Sequence, residues 1–240
     1  MIFVTGGSRS GKTFLLVRNA VMRALKAPNS RHAIFRFRLN HLKSSVFLDT
    51  FPKVMRTCFH GVEYKPHTQD MYVELSNGSQ IWFAGLDDKD RTEKILGMEF
   101  ATLYFNECSQ ITHDAVETAM TRLAEKSSLV NRAFYDCNPP NMAHWIYRLF
   151  VKKVEPETGV PLKDADNYAW LQMNPQDNAA NLPAEYITEL ERLPPRMRVR
   201  FLLGEFADAS EGALWSVEMI ERYREPNVPD MQRIVIGIDP

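Results

Sequence analysis

Apolar and polar positions along the chain follow two periods, one typical of strands and the other of helices. Short apolar, β-branched and aromatic runs predict buried-type strands at Ile2–Thr5 and within HAIFRFR, ATLYFNE and RAFYDCNPP. Apolar positions three or four residues apart predict helices from Thr13 to Leu25, from about Leu42 to Phe59 with a kink at Pro52, and from about His113 to Glu125. Strands that alternate with helices predict an α/β domain with a mostly parallel sheet.

The stretch MYVELSNGSQIWFAG predicts an antiparallel hairpin, because Asn77-Gly78 supplies the positive φ of a tight turn between two alternating runs. We expect this hairpin at an edge of the sheet. Asn141 is expected to cap a short helix, and VEPETGVPLKDADN is typical of a surface loop.

The last sixty residues predict a separate organisation. NLPAEYITELERLPPRMRVRFLLGEF predicts a helix, a Pro-Pro break and a second helix, which could form a small subdomain. QRIVIGIDP is an apolar strand at the very end of the sequence. Such a strand normally begins a new element, so we expect the chain to be a fragment cut where a second domain starts.

The composition restricts the class of protein but does not indicate a specific function. The chain has 240 residues, 45% of them hydrophobic, which suffices for one large domain with a real core. Its 29 basic and 30 acidic residues nearly cancel, so a polyanion site would have to be a local patch. Three cysteines without a CxxC pair predict reduced thiols in a cytosol and weigh against a zinc site. No apolar run approaches the roughly 20 residues of a membrane span, so we expect a soluble protein.

The stretch between the first strand and the first helix carries the strongest chemical signal. Residues 6–13 match the phosphate-binding pattern G-x-x-x-x-G-K-[ST] in full and in the required context. They are Gly6, Gly7, Ser8, Arg9, Ser10, Gly11, Lys12 and Thr13. Backbone N–H groups of such a loop point at phosphate oxygens, Lys12 would reach the β and γ phosphates, and the Thr13 hydroxyl would ligate Mg²⁺. The alternative is a glycine-rich turn with a chance lysine. ATP is favoured over GTP because the sequence has no N-K-x-D motif.

A second strand end supplies a candidate catalytic group. In ATLYFNECSQIT, four apolar residues precede Asn106 and Glu107, as in a Walker B strand. Glu107 would orient or deprotonate the attacking water, although it could instead be a surface glutamate after a core strand. Asn106 stands where an aspartate is usual. An amide lacks the negative charge, so Mg²⁺ affinity should be weaker unless another carboxylate helps.

A third strand end, FYDCNPPN, presents Asp136 and Asn138 before a Pro-Pro turn. Asn138 could hydrogen-bond the γ-phosphate or the attacking water and report the presence of phosphate. An Asn-Pro turn that merely reverses the chain explains the same spacing equally well.

With these residues, nearly the whole chain resembles the ATPase portion of the large terminase subunits that package DNA into tailed-phage capsids. The likeness includes GGSRSGKT, FRFRLNHLKSSVF, VELSNGSQIWFAGLDD, KILGMEFATLYFNECSQIT, CNPPNMAHWIYRLF and RFLLGEFADASEGALW. It implies an ASCE-type P-loop NTPase core over residues 1–180, a helical lid or linker over 181–230, and over 231–240 the first strand of an RNase H-like nuclease. Asp239 would be the first metal ligand of that nuclease, and this fragment should not cut DNA by itself.

The resemblance also implies roles for single residues. Lys12 and Thr13 correspond to Walker A, Asn106 and Glu107 to Walker B, and Asn138 to the coupling motif that links hydrolysis to movement. Arg9 would sense or stabilise the γ-phosphate. In a ring, a basic residue from a neighbouring subunit can complete the site, and Arg91 and Lys94 are the candidates, although solvated helix charges explain them as well.

The partners that the resemblance implies are double-stranded DNA, the portal protein, the small terminase subunit and further copies of the chain in a ring, often a pentamer, in the host cytoplasm at the procapsid portal. Two basic stretches, Arg36 to Arg56 and Arg192 to Arg200, could grip DNA phosphates or be solubilising faces. Two other functions remain open. One is a helicase-like P-loop ATPase, and the other is a nucleotide-dependent assembly module with little turnover.

Overall fold

Eight strands form one sheet in the computed structural model, which describes residues 1–87, 97–207, 219 and 222–224. The strands are β1 (Ile2–Thr5), β2 (Arg31–Arg36), β3 (Tyr64–His67), β4 (Tyr72–Leu75), β5 (Gln80–Gly85), β6 (Thr102–Phe105), β7 (Arg132–Cys137) and β8 (Ala169–Gln172). Their order across the sheet is β3-β4-β5-β2-β6-β7-β1-β8. All neighbours from β5 to β8 are parallel, and β3 and β4 add an antiparallel pair at one edge.

Helices lie between several of the strands and follow the last strand, β8. They are α1 (Lys12–Lys26), α2 (Leu39–Leu42), α3 (Phe51–Cys58), α4 (His113–Met120), α5 (Trp145–Phe150), α6 (Ala184–Glu191) and α7 (Pro195–Arg198). Two π-helical segments, Lys43–Thr50 and Val199–Leu203, continue α2 and α7. Short 3₁₀ turns cover Cys108–Gln110, Ala165–Asn167 and Pro175–Asn181.

The core lies on both faces of the sheet, because alternate residues of each strand point to opposite sides. On β1, Phe3 packs into one buried cluster with residues of α4 and α5, whereas Val4 packs into the other with residues of α1 and α3. Both faces are therefore covered by helices. The predicted fold, a mostly parallel sheet flanked by helices with an antiparallel hairpin at the edge, is confirmed.

Most of the predicted elements are present, with shifted ends. The helix expected over residues 42–59 is a continuous helical run from Leu39 to Cys58, and Pro52 lies in the first turn of α3, where π geometry gives way to α. The helix from His113 ends at Met120 and not near Glu125. The prediction for Asn141 was wrong: α5 begins later, and the cap is His144, whose Nδ1 accepts a hydrogen bond from the N–H of Ile146.

All of these elements belong to one compact unit, Met1–Ala207, and Asp208–Pro240 forms a second. In the second unit the N–H of Tyr223 donates to the carbonyl of Met219, in a helical turn. The boundaries expected at residues 180 and 230 remain predictions, and the strand expected at the end of the sequence lies outside the described residues. Within the described ranges, every helix is too short or too polar to span a bilayer.

Candidate active site

The loop after β1 has the form of an anion-binding turn. It runs from Gly6 to Gly11 and leads directly into α1. Gly11 gives this helix no side-chain cap, and the first turn of α1 has no acidic residue, so no acidic side chain of the helix itself offsets its positive end, which faces the loop. Gly6 has a φ of 152°, and a Cβ there would lie 1.5 Å from the carbonyl oxygen of Met173. The loop therefore needs glycine where it packs against the chain after β8.

Residues far along the sequence hold this loop in place. The N–H of Ser8 donates to the carbonyl of Phe201 over 2.8 Å, and the amide Nδ2 of Asn178 donates to the carbonyl of Arg9, also over 2.8 Å. A Cβ on Gly7 would lie 2.3 Å from the same Phe201 oxygen. The segment predicted as a lid thus packs directly on the phosphate-binding loop.

Lys12 is buried at the centre of the loop, with 6% of its surface exposed. Its ammonium donates to the carbonyls of Gly6 (3.1 Å) and Gly7 (2.8 Å), to Ser10 Oγ (3.1 Å) and to Asn138 Oδ1 (3.1 Å). Burial lowers the pKa of the Lys12 ammonium, and the nearby carboxylates of Asp136 and Glu107 oppose this shift. The last contact joins the loop to the end of β7, so Lys12 and Asn138 lie side by side.

A buried carboxylate, Asp136 on β7, connects this strand with β6, the turn after β6 and the helix α1. Its Oδ1 accepts from the Tyr104 hydroxyl (3.0 Å), Asn106 Nδ2 (2.9 Å) and the N–H of Glu107 (3.1 Å), while Oδ2 accepts from the Thr13 hydroxyl (3.1 Å). Burial raises the pKa of the Tyr104 hydroxyl, which keeps its proton for this contact. Thr13 and Asn106 are thereby brought into one polar cluster.

Glu107 follows β6 in an unusual backbone conformation, with φ 50° and ψ 47°. A non-glycine residue in this left-handed region carries strain that its surroundings must compensate, and such strain concentrates at functional sites. The hydrogen bond from its N–H to Asp136 supplies part of that compensation. Burial and then the charge of Asp136 raise the pKa of the Glu107 carboxyl, while Arg36, Lys12 and Arg200 oppose the rise.

The phosphate-binding loop, Glu107 and Asn138 line one cavity of about 720 Å³, a size typical of small-molecule sites. It is bounded by residues 8–15 with Lys53, Thr57, Glu107, Asn138, Met173, Asp177, Asn178, Asn181, Leu182 and Tyr186. Lys12 and Glu107 therefore face the same space. Arg9, with φ 54° and an exposed side chain, also lines it, and its guanidinium lies 5.9 Å from the centre of the Tyr186 ring.

Of the predicted site residues that the structure describes, Glu107, Asn138 and most of the loop border the cavity, and Asn106 lies in the cluster around Asp136. Arg91, Lys94 and Asp239 lie outside the described residues. Asp136 stands near the end of a predicted strand, but its role depends on the pairing of β6 with β7, which the sequence does not show. Sequence reasoning also missed Tyr104, Asn178 and Tyr186, which come from a strand interior and two distant segments.

The two predicted basic stretches are largely exposed. On the first, Arg38, His41, Lys43, Lys53 and Arg56 are exposed, and Arg36 is half-buried with its Nη1 donating to Ser45 Oγ over 2.8 Å. On the second, Arg192, Arg196, Arg198 and Arg200 are exposed. Exposure suits either a contact with DNA phosphates or a solvated face.

A family model described as the N-terminal part of the terminase large subunit, T4likevirus-type, matches residues 3–222. No curated protein matches the chain.

Solved structures with the same fold come from phage large terminases. The large terminase of a thermophilic bacteriophage is 20% identical, with a TM-score of 0.74 over 86% of this chain and 48% of that one. The same protein in complex with ATP-gamma-S is 19% identical, with a TM-score of 0.70 over 86% and 47%. The large terminase ATPase domain of Thermus phage P74-26 is 14% identical, with a TM-score of 0.58 over 86% and 88%. The chain thus spans about half the length of the first of these proteins.

Proposed function

The chain belongs to the family of T4likevirus-type terminase large subunits, and we propose that it is the ATPase motor portion of a DNA-packaging terminase, which hydrolyses ATP to move double-stranded DNA into a procapsid. One observation carries the proposal: Lys12 of the phosphate-binding loop, Glu107 and Asn138 line the same cavity. A helicase-like ATPase has no observation in its favour beyond the shared loop.

ATP binding would begin with an exchange of partners at Lys12. Its ammonium has three protons and four protein acceptors within 3.1 Å. Phosphate oxygens compete well for such a cation, because charge-assisted hydrogen bonds are stronger than those to neutral acceptors. The loop N–H groups and the N-terminus of α1 add donors to the same anion. The complex of the thermophilic phage terminase with ATP-gamma-S supports a triphosphate as the ligand of this fold.

Hydrolysis would use Glu107 as the general base. Its partly buried carboxyl has a raised pKa, so its carboxylate holds a proton more strongly than an exposed glutamate does. A base with a pKa closer to the working pH takes a proton from water more effectively. The left-handed backbone at Glu107 fixes the direction in which this side chain leaves the strand.

The cavity also fits Mg²⁺, the metal expected beside a nucleoside triphosphate. Bound there, the ion would neutralise charge on the β and γ phosphate oxygens. Thr13 would hold it, since its hydroxyl donates to Asp136 and keeps a lone pair for a ligand. No group of three or more His, Cys, Asp or Glu side chains forms a metal cage in the described ranges. Mg²⁺ seldom uses such cages when phosphates supply most of its ligands.

Movement would be coupled to hydrolysis through the end of β7. Asn138 contacts Lys12 directly, so a phosphate that draws Lys12 away changes the partners of Asn138. The helix α5, which follows β7, contacts the segment after Glu107, because Trp145 Nε1 donates to the carbonyl of Ile111 over 2.9 Å. A change at either strand end can therefore reach α5.

We extend the proposal to the remaining assignments, for which the family resemblance is the support. The ATPase core covers residues 1–180, the lid or linker 181–230, and the first nuclease strand 231–240, with Asp239 as a metal ligand. Arg9 contacts the γ-phosphate, and Arg91 completes the site of a neighbouring subunit in a ring, often a pentamer. The partners are double-stranded DNA, the portal protein and the small terminase subunit, in the host cytoplasm at the procapsid portal.

The test is ATPase turnover with and without duplex DNA over a range of protein concentrations. We expect Mg²⁺-dependent hydrolysis that duplex DNA stimulates and that Lys12→Ala abolishes by weakening nucleotide binding. A specific rate that climbs with protein concentration would support a site completed by a neighbouring subunit. A protein that binds ATP but turns it over slowly and equally under all conditions would be an assembly module, and the motor proposal would fail.

A further inference from the structure

The buried carboxylate of the site, Asp136, lies on β7, whereas a Walker B aspartate would be expected at the end of the neighbouring strand β6. The parallel register of β6 and β7 pairs Phe105 with Tyr135, so Asn106 and Asp136 occupy matching positions at the ends of adjacent strands. In the sheet β7 is the neighbour of β1, the strand that carries the phosphate-binding loop. A carboxylate on β7 is thus placed at least as close to that loop as one on β6.

Asn106 is arranged to hold Asp136 rather than to replace it. Both side chains are buried, with 1% and 0% of their surface exposed. The Asn106 amide nitrogen donates to Asp136 Oδ1 (2.9 Å) and lies within 3.3 Å of the Thr13 hydroxyl. An aspartate at position 106 could not donate either bond and would set two carboxylates side by side.

One atom of this cluster still needs a partner. The Oδ1 of Asn106 is buried and accepts no hydrogen bond from the described residues. Most buried polar atoms in proteins have a hydrogen-bond partner, and an ordered water or a hydrated ion commonly supplies it where the protein does not. The Thr13 hydroxyl beside it keeps one lone pair after donating to Asp136 and accepting from Asn106. Both free acceptors suit a hydrated divalent cation, whose bound waters donate hydrogen bonds.

We propose that Asp136 supplies the negative charge that a Walker B aspartate gives to the Mg²⁺ shell, and that Asn106 positions Asp136 and accepts from a metal-bound water. This inference rests on the proposed function and deepens it at the same site. It resolves the departure at position 106: the charge is kept and has moved by one strand.

The experiment is a Mg²⁺ titration of the binding of a fluorescent ATP analogue, compared with binding in EDTA. The variants are Asp136→Asn, Asn106→Asp and the exchange of both residues. We expect Asp136→Asn to raise the Mg²⁺ concentration for half-saturation by about 10- to 100-fold, the range for mutated groups that support metal ligands, and to change nucleotide binding in EDTA by a clearly smaller factor. Asn106→Asp alone should not tighten Mg²⁺ dependence, whereas the exchange should recover most of the parental titration.

Circular dichroism and thermal unfolding of each variant separate loss of the metal shell from loss of the fold. If Asp136→Asn unfolds, the other two variants decide, because the exchange keeps one carboxylate and one amide in the pair. An unchanged titration in Asp136→Asn, or a tighter one in Asn106→Asp, would overturn the inference. A parental protein that binds no nucleotide, with or without Mg²⁺, would instead refute the proposed function.

Discussion

Replacing Glu107 with glutamine tests the catalytic assignment with little change in shape. Glutamine keeps the side-chain length and the N–H that donates to Asp136 over 3.1 Å, so the strained backbone should hold. It cannot take a proton from water. The substitution removes a negative charge that raises the pKa of Lys12. The loss of this charge also reduces the repulsion of a bound phosphate.

The expected loss is about 100-fold or more in turnover, which is the range for a missing general base. At about 1.36 kcal/mol for each factor of ten, this is a rise of about 2.7 kcal/mol or more in the activation free energy. Nucleotide binding should be no weaker, since the four contacts of Lys12 do not include Glu107.

The assay is single-turnover hydrolysis at saturating protein, with nucleotide affinity measured separately by fluorescence. Glu125→Gln is the matched control. Glu125 also has a raised pKa, chiefly from burial, but its Oε2 accepts from the N–H groups of Arg31 and Ala101 and lies outside the cavity. Its loss should lower stability and leave hydrolysis intact. Parental turnover in Glu107→Gln would refute the assignment of the base.

Two further predictions concern the free energy of unfolding, one through its dependence on pH and the other through a substitution in the phosphate-binding loop. His32 is buried between Ser30 and Thr102, and burial lowers its pKa to about 3 from an ordinary 6.5. The unfolded chain then binds more protons than the folded protein below pH 6.5, so the free energy of unfolding should fall by up to about 1.4 kcal/mol per pH unit from pH 6.5 towards 3. Urea unfolding at several pH values measures this slope. An equal slope in His32→Gln would contradict the prediction. Gly6→Ala should cost about 3 kcal/mol or more, because its Cβ would meet Met173 at 1.5 Å. The control Gly61→Ala, with φ 79° and no atom within 4 Å, should cost only about 1–2 kcal/mol in thermal unfolding.

The phosphate-binding loop could be found from sequence because its chemistry is local. Its glycines, Lys12 and Thr13 lie within eight residues, and each is required by the same turn. Glu107 could be found as well, since the end of a buried strand is where parallel sheets place such groups. The family resemblance, which rests on the order of these motifs, then implied the roles of the individual residues.

The role of Asp136 could not be read in the same way. Its four donors come from α1, β6 and the turn after β6, and only the pairing of β6 with β7 brings them together. The strands β3 and β8, in which nearly all residues are exposed, were not predicted from the sequence. Every residue of Ala169–Gln172 is exposed, so this edge strand has no apolar alternation to detect.

The packing of Phe201 on Gly7 has a practical consequence for anyone who shortens this chain. A truncation at residue 180 would follow the apparent end of the nucleotide-binding core. It would also remove the carbonyl that holds the N–H of Ser8, and it would uncover the loop backbone beside Gly204, where an added Cβ would lie 2.6 Å from the Cα of Gly6. A minimal version should therefore extend past Gly204, because the residues that shape the loop are among the last of the first compact unit.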